Sequence, residues 1–364
     1  MLVKNLCVFL EESFPLVLQE SYDNCGLLVG NDQTVINGVL IALDVTESVV
    51  DEAIKKNINV IISHHPVIFK GIKNLSNPNL TNRIIIKCIQ HNISLYAIHT
   101  NLDNHHQGVN AKIAEKLNLK NTRVLAPMRG TLLKLIVYMP IHALPILDKA
   151  IFENGGGRIG NYSACHFRNL GIGTFMPNDK ANPTIGKAYI REEVEEYRVE
   201  YLVLSHQKEA VAAAMISAHP YEEVAHEWYP IQNVNEEFGA GMIGTLEYEI
   251  PVEEFLHLIK TKFNCGCIKY TKPHKPYIKK VAICGGSGSF LMNDALRQQA
   301  DIFISSDFKY HDFFDAEGKL IVADIGHFES EQFTSELIAE KLKEKFSTFA
   351  IQLTEINTNP INYL

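Results

Sequence analysis

Apolar and polar positions alternate between two periods along the first third of the chain. Residues 38–43 (GVLIAL), 59–63 (NVIIS) and 94–98 are short, continuous apolar runs, the pattern of strands buried on both faces. Between them, residues 47–57 place Val49, Val50, Ala53 and Ile54 on one helical face, and 81–91 and 108–117 read as further helices. This βαβα rhythm predicts a largely parallel sheet covered by helices. It returns late in the chain. Residues 280–284 (KVAIC), 301–305 (DIFIS) and 320–324 read as strands, and 290–299 and 331–345 as helices.

Laid side by side, the two stretches match. The unit ending at Ser63-His64-His65 corresponds to the one ending at Ser305-Ser306-Asp307. The strand ending at His99-Thr-Asn-Leu-Asp103 corresponds to the one ending at His327-Phe-Glu-Ser-Glu331, each with a histidine and an acid four apart. The alignment suggests an internal duplication whose strand ends share one cleft. Chance likeness between βα units is the alternative.

Between the halves the pattern changes. Strand 132–139, helix 144–154, two strands near 165–174 and 187–199, helix 207–218 and strand 224–229 follow in the order βαββαβ, a ferredoxin-like plan. The expected organisation is an α/β domain of two similar halves, 1–129 and 241–364, interrupted by an inserted α+β domain at 130–240.

Composition narrows the class. The chain has 364 residues, 46% hydrophobic and 21% charged, with net charge −8, so direct nucleic-acid binding is not expected. The lysine-rich stretch 269–280 reads as a solvated connection. Seven cysteines without a CxxC pair suit reduced thiols in a reducing compartment, and a cytoplasmic location is expected. Acidic residues and a proline interrupt positions 1–15 before a signal peptide could form, and no run is apolar enough for a membrane span.

Three stretches carry chemistry. Adjacent side chains on a strand point to opposite faces, so His64 and His65 can approach one site only where the strand has ended, as Pro66 requires. Alone, the pair is equally a surface turn. Asp103 is a plausible oxygen ligand at a second strand end, while His99 reads as ligand, supporting partner or satisfied core histidine. His327 and Glu331 share one face of a helix's first turn, leaving Glu329 to serve the helix N-terminus; an ordinary charged helix start is the alternative. Three imidazoles and two carboxylates exceed one closed tetrahedral zinc and suit two divalent ions, with Zn, Mn, Fe, Co and Ni all admitted. Beside them, Asp307 and His311 are candidates for substrate contact or proton transfer, and Gly285-Gly-Ser-Gly288 reads as a tight strand-to-helix turn or, less specifically, an anion-facing loop.

At these residues the sequence resembles the Nif-three-like family, described as GTP cyclohydrolase I type 2 homologues. The resemblance runs through Tyr22-Asp-Asn-Cys-Gly-Leu27, Leu43-Asp-Val-Thr46, Ser63-His-His-Pro66, His99-Thr-Asn-Leu-Asp103, Gly285-Gly-Ser-Gly288, Ser306-Asp307 with Lys309-Tyr-His311, and Gly326-His327 with Glu331. It implies a dinuclear centre whose ligands fall on His64, His65, Asp103, His327 and Glu331. Asn104-His-His-Gln107 and Tyr22 depart from the family's common residues. Gly157-Arg-Ile-Gly-Asn-Tyr162, Gly171-Ile-Gly-Thr-Phe-Met-Pro177 and His219-Pro-Tyr-Glu-Glu223 resemble the insertion of longer members, which is similar to ferredoxin-like trimer modules. The resemblance further implies a ring-shaped homohexamer. The expected function is metal-dependent hydrolysis of a nucleotide. Phosphoester hydrolysis, and a non-enzymatic regulatory protein binding metal or nucleotide and acting through protein partners, are the alternatives.

Overall fold

The computed structural model describes residues 1–76 and 79–364. The chain forms two compact units, Met1–Pro127 with Glu236–Leu364, and Met128–Asn235. The first unit opens with β1 (Gly26–Val29), β2 (Gly38–Ala42), β3 (Val60–Ser63), β4 (Ser94–Ala97) and β5 (Lys120–Pro127). The second contributes β6 (Leu132–Pro140), β7 (Phe167–Phe175), β8 (Glu192–Leu204) and β9 (His226–Pro230). The chain then returns to the first with β10 (Gly239–Pro251), β11 (Lys269–Tyr270), β12 (Tyr277–Ser287), β13 (Ile302–Ser306), β14 (Ile321–Asp324) and β15 (Ala350–Leu353).

The first unit holds two sheets, ordered β1-β4-β3-β2-β15 and β11-β14-β13-β12-β10-β5. Four strands of each share one plan: β1-β4-β3-β2 and β11-β14-β13-β12 both run antiparallel, parallel, parallel. Equivalent amides continue the match, Ile98 N–H bonding Ser63 O at 2.9 Å and Ile325 N–H bonding Ser305 O at 3.0 Å. This register corrects the alignment made from sequence by one residue. Ala97 pairs with Ser63 and Asp324 with Ser305, so Thr100, not His99, is the counterpart of His327. The helix starts agree, with His99 and Gly326 as the two N-cap residues.

Side-chain alternation explains the layers. Val39 and Ile41 of β2 face a core shared with Val281, Ile283, Ile302 and Ile304 of the other sheet. Leu40 and Ala42 face Val49, Ala53, Ile84 and Cys88 of the helices Glu47–Lys55 and Leu80–Gln90. Thr46 caps the first of these, accepting from Val49 N–H, the role its residue type favours. On the second sheet, Ala282, Phe303 and Val322 pack outward against Leu291, Met292 and Ala295.

Two local expectations are amended. The helix expected over 331–345 is two, His327–Glu331 and Thr334–Lys345. At the break, Gln332 Nε2 donates to the carbonyls of Glu329 and Phe263, satisfying a helix-end acceptor. The lysine-rich 269–280 stretch is largely exposed, as expected of a solvated connection, but its ends are built into the second sheet. It carries edge strand β11 and the start of β12, Lys269 pairs with Asp324 at 2.7 Å, and Lys275 with Asp301.

In the second unit the elements follow in the order βαββαβ, and the sheet β7-β8-β6-β9 is antiparallel throughout. Helices Leu144–Glu153 and Lys208–Ala218 cover one face, burying Leu147, Ile151, Val211 and Met215 against Leu135, Val137, Val199 and Tyr201.

Pro127 and Gly239 are paired neighbours on β5 and β10, so the chain leaves and re-enters the first unit at one place. Replacing residues 128–235 with a short Gly/Ser linker is therefore expected to leave a cooperatively unfolding first unit. Circular dichroism melts and elemental analysis check this, and a non-cooperative product contradicts it.

Candidate metal centre

Beyond Ser63 the chain stays pinned to β2. His64 N–H bonds Ala42 O at 3.2 Å and His65 N–H bonds Leu43 O at 3.0 Å, while Ser63 Oγ donates to His65 O at 2.8 Å. The strand has ended here, and both rings enter one cluster, their centroids 5.0 Å apart. Across the unit, Gly326 adopts φ +96°, a conformation glycine takes without cost, and starts the helix His327–Glu331. Glu329 turns back beside Gly326, where a Cβ would lie 2.2 Å from its carboxylate.

Glu331 is the centre, with a side chain 3% exposed. Its Oε2 lies 3.0 Å from His65 Nε2 and 3.0 Å from His327 Nε2, and its Oε1 lies 3.7 Å from His64 Nε2. The two facing imidazole nitrogens of His65 and His327 are 3.3 Å apart. His64 Nε2 is 3.6 Å from Asp103 Oδ1. His99 joins the same cluster, its ring centroid 5.1 Å from His64 and 5.3 Å from His65. Two overlapping groups therefore have donor atoms close enough to share a cation: His64, His65 and His99, and His65, His327 and Glu331. The glycine turn read from sequence has a specific task. Gly286, at φ +62°, leaves room where a Cβ would sit 2.2 Å from Glu331 Oε1.

Each ring is held by its far nitrogen. His65 Nδ1 donates to Asp44 Oδ1 at 2.7 Å, His327 Nδ1 to Asp307 Oδ2 at 2.6 Å, His99 Nδ1 to Asp23 Oδ1 at 2.8 Å, and His64 Nδ1 to Ile98 O at 2.9 Å. These contacts fix the tautomers so that the Nε2 lone pairs face inward, the arrangement that supports metal-ligating histidines. Asp23 and Asp44 were quoted in the sequence motifs without a role; an acid directly after a buried strand, as Asp44 is, was the available signal. Asp307, a candidate for substrate contact or proton transfer, engages His327 and Ser287. His311, also expected at the site, lies exposed, with ring contacts to Tyr310 and Phe314.

The electrostatics test whether these residues suit a cation. His64 Nε2 and Asp103 Oδ1 are buried without a hydrogen-bond partner, and Glu331 Oε2 has none of good geometry, a costly state for acceptors unless a cation or proton compensates. Ligands at about 2.0–2.2 Å from one ion stand roughly 3–3.5 Å apart, close to the separations found. Without a cation, protons take its place. Burial pushes His65 and His327 down, but the carboxylates of Asp44 and Glu331 beside the first, and of Glu331 and Asp307 beside the second, push them up to about 10 and about 9. Burial raises the Glu331 carboxyl, but the imidazoles of His327 and His64 hold it well below the usual range. Burial and the charge of Glu331 raise Asp103. The residues fit a cation site.

Residues 354–359 lace over this layer. Thr358 Oγ1 donates to Asp44 Oδ2 at 2.8 Å, on the carboxylate that holds His65, and Asn359 Nδ2 to Glu329 Oε1 at 3.2 Å.

A pair of like-built α/β sheets whose strand ends bring histidines and carboxylates together defines an α/β protein with a candidate metal centre. Comparison with known proteins narrows the class: the family model of Duf34/NIF3 (NGG1p interacting factor 3) matches residues 1–360, and the chain belongs to this family. A GTP cyclohydrolase 1 type 2 homolog of Halalkalibacterium halodurans is 39% identical over 96% of this chain and 95% of its own length. A Bacillus subtilis protein of the same name is 39% identical over 97% and 96%. Among solved structures, a Bacillus cereus protein related to NIF3 superposes with TM-score 0.86 at 36% identity, covering 100% of this chain and 99% of that one.

Two outcomes are expected. At pH 7 the cation-free centre carries protons on His65 and His327. A divalent cation takes neutral imidazoles, so binding releases about two protons from these rings, and affinity rises with pH up to about 10. Calorimetry in buffers of different ionisation enthalpy reads the count; affinity independent of pH between 7 and 9 contradicts it. Asp44→Ala is expected to weaken binding roughly 10–100-fold, and Thr358→Val less, in titrations with Co(II) followed by its visible absorption. Equal wild-type affinity in both variants refutes the supporting role.

Proposed function

We propose that this protein is a hydrolase working with two divalent metal ions on a nucleotide, in the manner of a GTP cyclohydrolase. The observation that carries the reading is Glu331, buried with its carboxylate 3.0 Å from both His65 Nε2 and His327 Nε2 and 3.7 Å from His64 Nε2. In this reading His64, His65, Asp103, His327 and Glu331 hold the ions. When bound, the ions supply Lewis acidity and water of lowered pKa.

The other residues orient and move protons. Asp44 and Asp307 keep His65 and His327 in the ligating tautomer. His99, backed by Asp23, faces the same space with its Nε2 free to take a proton from the attacking water and pass it to a departing nitrogen, as acid–base groups paired with carboxylates do. On guanine, water adds at the imidazole-ring carbon, the carbon–nitrogen bond breaks as nitrogen takes the proton, and a second water releases formate. The curated relatives carry the GTP cyclohydrolase name, and that name supports guanine as the base. An inserted ferredoxin-like module at residues 128–235 and a cytoplasmic location complete the proposal.

Metal-loaded protein is expected to release formate from GTP, and His99→Gln to keep its metal while losing about 100-fold or more in rate. Formate assay and elemental analysis of both proteins check this. Hydrolysis of bis(p-nitrophenyl) phosphate without formate from GTP would replace the substrate class by phosphoesters. No turnover of either by metal-loaded protein would overturn the enzyme reading.

A further inference from the structure

The second unit contains a cavity of about 850 Å³, remote in sequence from the histidine cluster and assembled from its own residues alone. That volume lies within the range of small-molecule sites, about 300–1,000 Å³. Two motifs left without a role by the proposed hydrolysis meet there: residues 171–177 and 219–223.

The cavity is a built one. On its inner side, His219 is buried and satisfied at both nitrogens, accepting from Tyr221 N–H at 3.1 Å through Nδ1 and donating to Tyr138 O at 3.0 Å through Nε2. One tautomer serves both contacts, and it fixes Tyr221 against β6. On the outer side, the loop after β7 is fastened to the 219–223 turn. Asn182 N–H bonds Glu222 Oε1 at 2.8 Å, and Thr184 Oγ1 donates to Pro220 O at 2.7 Å.

The lining has one chemical character. Rings of Tyr138, Phe175 and Tyr221 provide aromatic walls. Glu196 projects from β8 across β7, and a Cβ at Gly173 would lie 2.1 Å from its Oε2, so glycine is required there for the carboxylate to take this position. The Tyr221 hydroxyl is buried without a hydrogen-bond partner of good geometry. Burial and the Glu196 carboxylate beside it raise its pKa, so it remains a phenol able to donate. Three carboxylates, Glu196, Glu222 and Glu223, line the cavity against one ammonium, Lys180. Arg198, paired in register with Tyr138 and in contact with it, is engaged by Glu200, which Lys134 also pairs at 2.7 Å, so three carboxylates still face the cavity against Lys180 with Arg198 neutralised at its edge.

A carboxylate set among aromatic faces, with excess negative charge around it, selects positive charge on an apolar body. We propose that this cavity is a binding site for a small organic cation, an amine or amidinium with a flat or aliphatic body. The charged group sits at Glu196 and the body between Tyr138, Phe175 and Tyr221.

Isothermal titration of the full-length protein with benzamidinium and with spermidine, at about 0.15 M salt to screen diffuse attraction and with ATP as the anionic comparison, tests it. At least one cation is expected to bind with Kd of about 1 mM or tighter, Glu196→Gln to weaken it roughly tenfold or more, and ATP not to compete. Phe175→Ala, expected to weaken the same cation several-fold, carries the test if the Glu196 variant does not fold. No binding by either cation, unchanged affinity in the folded variants, or displacement of the cation by ATP each overturn the proposal. So does concentration-dependent hydrogen-exchange protection of residues 174–184 and 221–223 in the absence of cation, since that would mean a second copy of the chain covers the cavity. Metal content and formate release do not enter these readouts, so the result stands apart from the hydrolase reading.

Discussion

Inward-facing lone pairs at the strand ends are the constraint on which the rest depends. Asp44, Asp307 and Asp23 accept the Nδ1 protons of His65, His327 and His99. That leaves the Nε2 atoms pointing at one another and at Glu331, with His65 and His327 only 3.3 Å apart. Lone pairs at such distances repel unless positive charge stands between them. Protons on His65 and His327 meet that need in the cation-free chain, and a divalent cation would meet it more completely. The position of Gly286, the left-handed backbone of Gly326 and the bond from Thr358 to Asp44 all hold ligand candidates in this arrangement.

The shared plan of the two sheets explains how such a cluster is assembled. Each half offers the C-terminal ends of two parallel strands, the usual site of ligand contact in open α/β sheets. One half places His64 and His65 after β3, and the other places Ser306 and Asp307 at the equivalent positions, the last residue of β13 and the one beyond it. The halves thus fill unlike roles. The first supplies two inward rings, while the second supplies the carboxylate that holds the ring of His327. Neither half alone assembles the cluster, because Glu331 must reach His64 and His65 across the core the two sheets share.

Much of this was legible in the sequence where one period dominated. Buried strands such as β2 and β3 read as continuous apolar runs, and the helix Glu47–Lys55 announced itself by its apolar face. Strands β1, β5, β10, β11 and β15 were missed. β5 exposes its first four residues, and β15 has no fully buried residue, so neither shows a long apolar run. Their place is set by pairing with distant strands, a tertiary effect that local pattern does not carry. The one-residue slip in aligning His99 with His327 has the same origin: both stretches carry a histidine and an acid four apart, and only backbone register distinguishes them. Asp23 and Asp44 stayed unread for a related reason, since a carboxylate's task is defined by the ring it meets, and those rings lie 76 and 21 residues away.

The central claim is that inward-facing acceptors around Glu331 hold two divalent ions. Anomalous diffraction from crystals grown with Mn(II) or Zn(II), recorded at the metal's absorption edge, tests it most directly. The account predicts two peaks per chain flanking the Glu331 carboxylate, among His64, His65, Asp103 and His327. Crystals soaked with the cation that show no peak there, or a peak held by other residues, would contradict it.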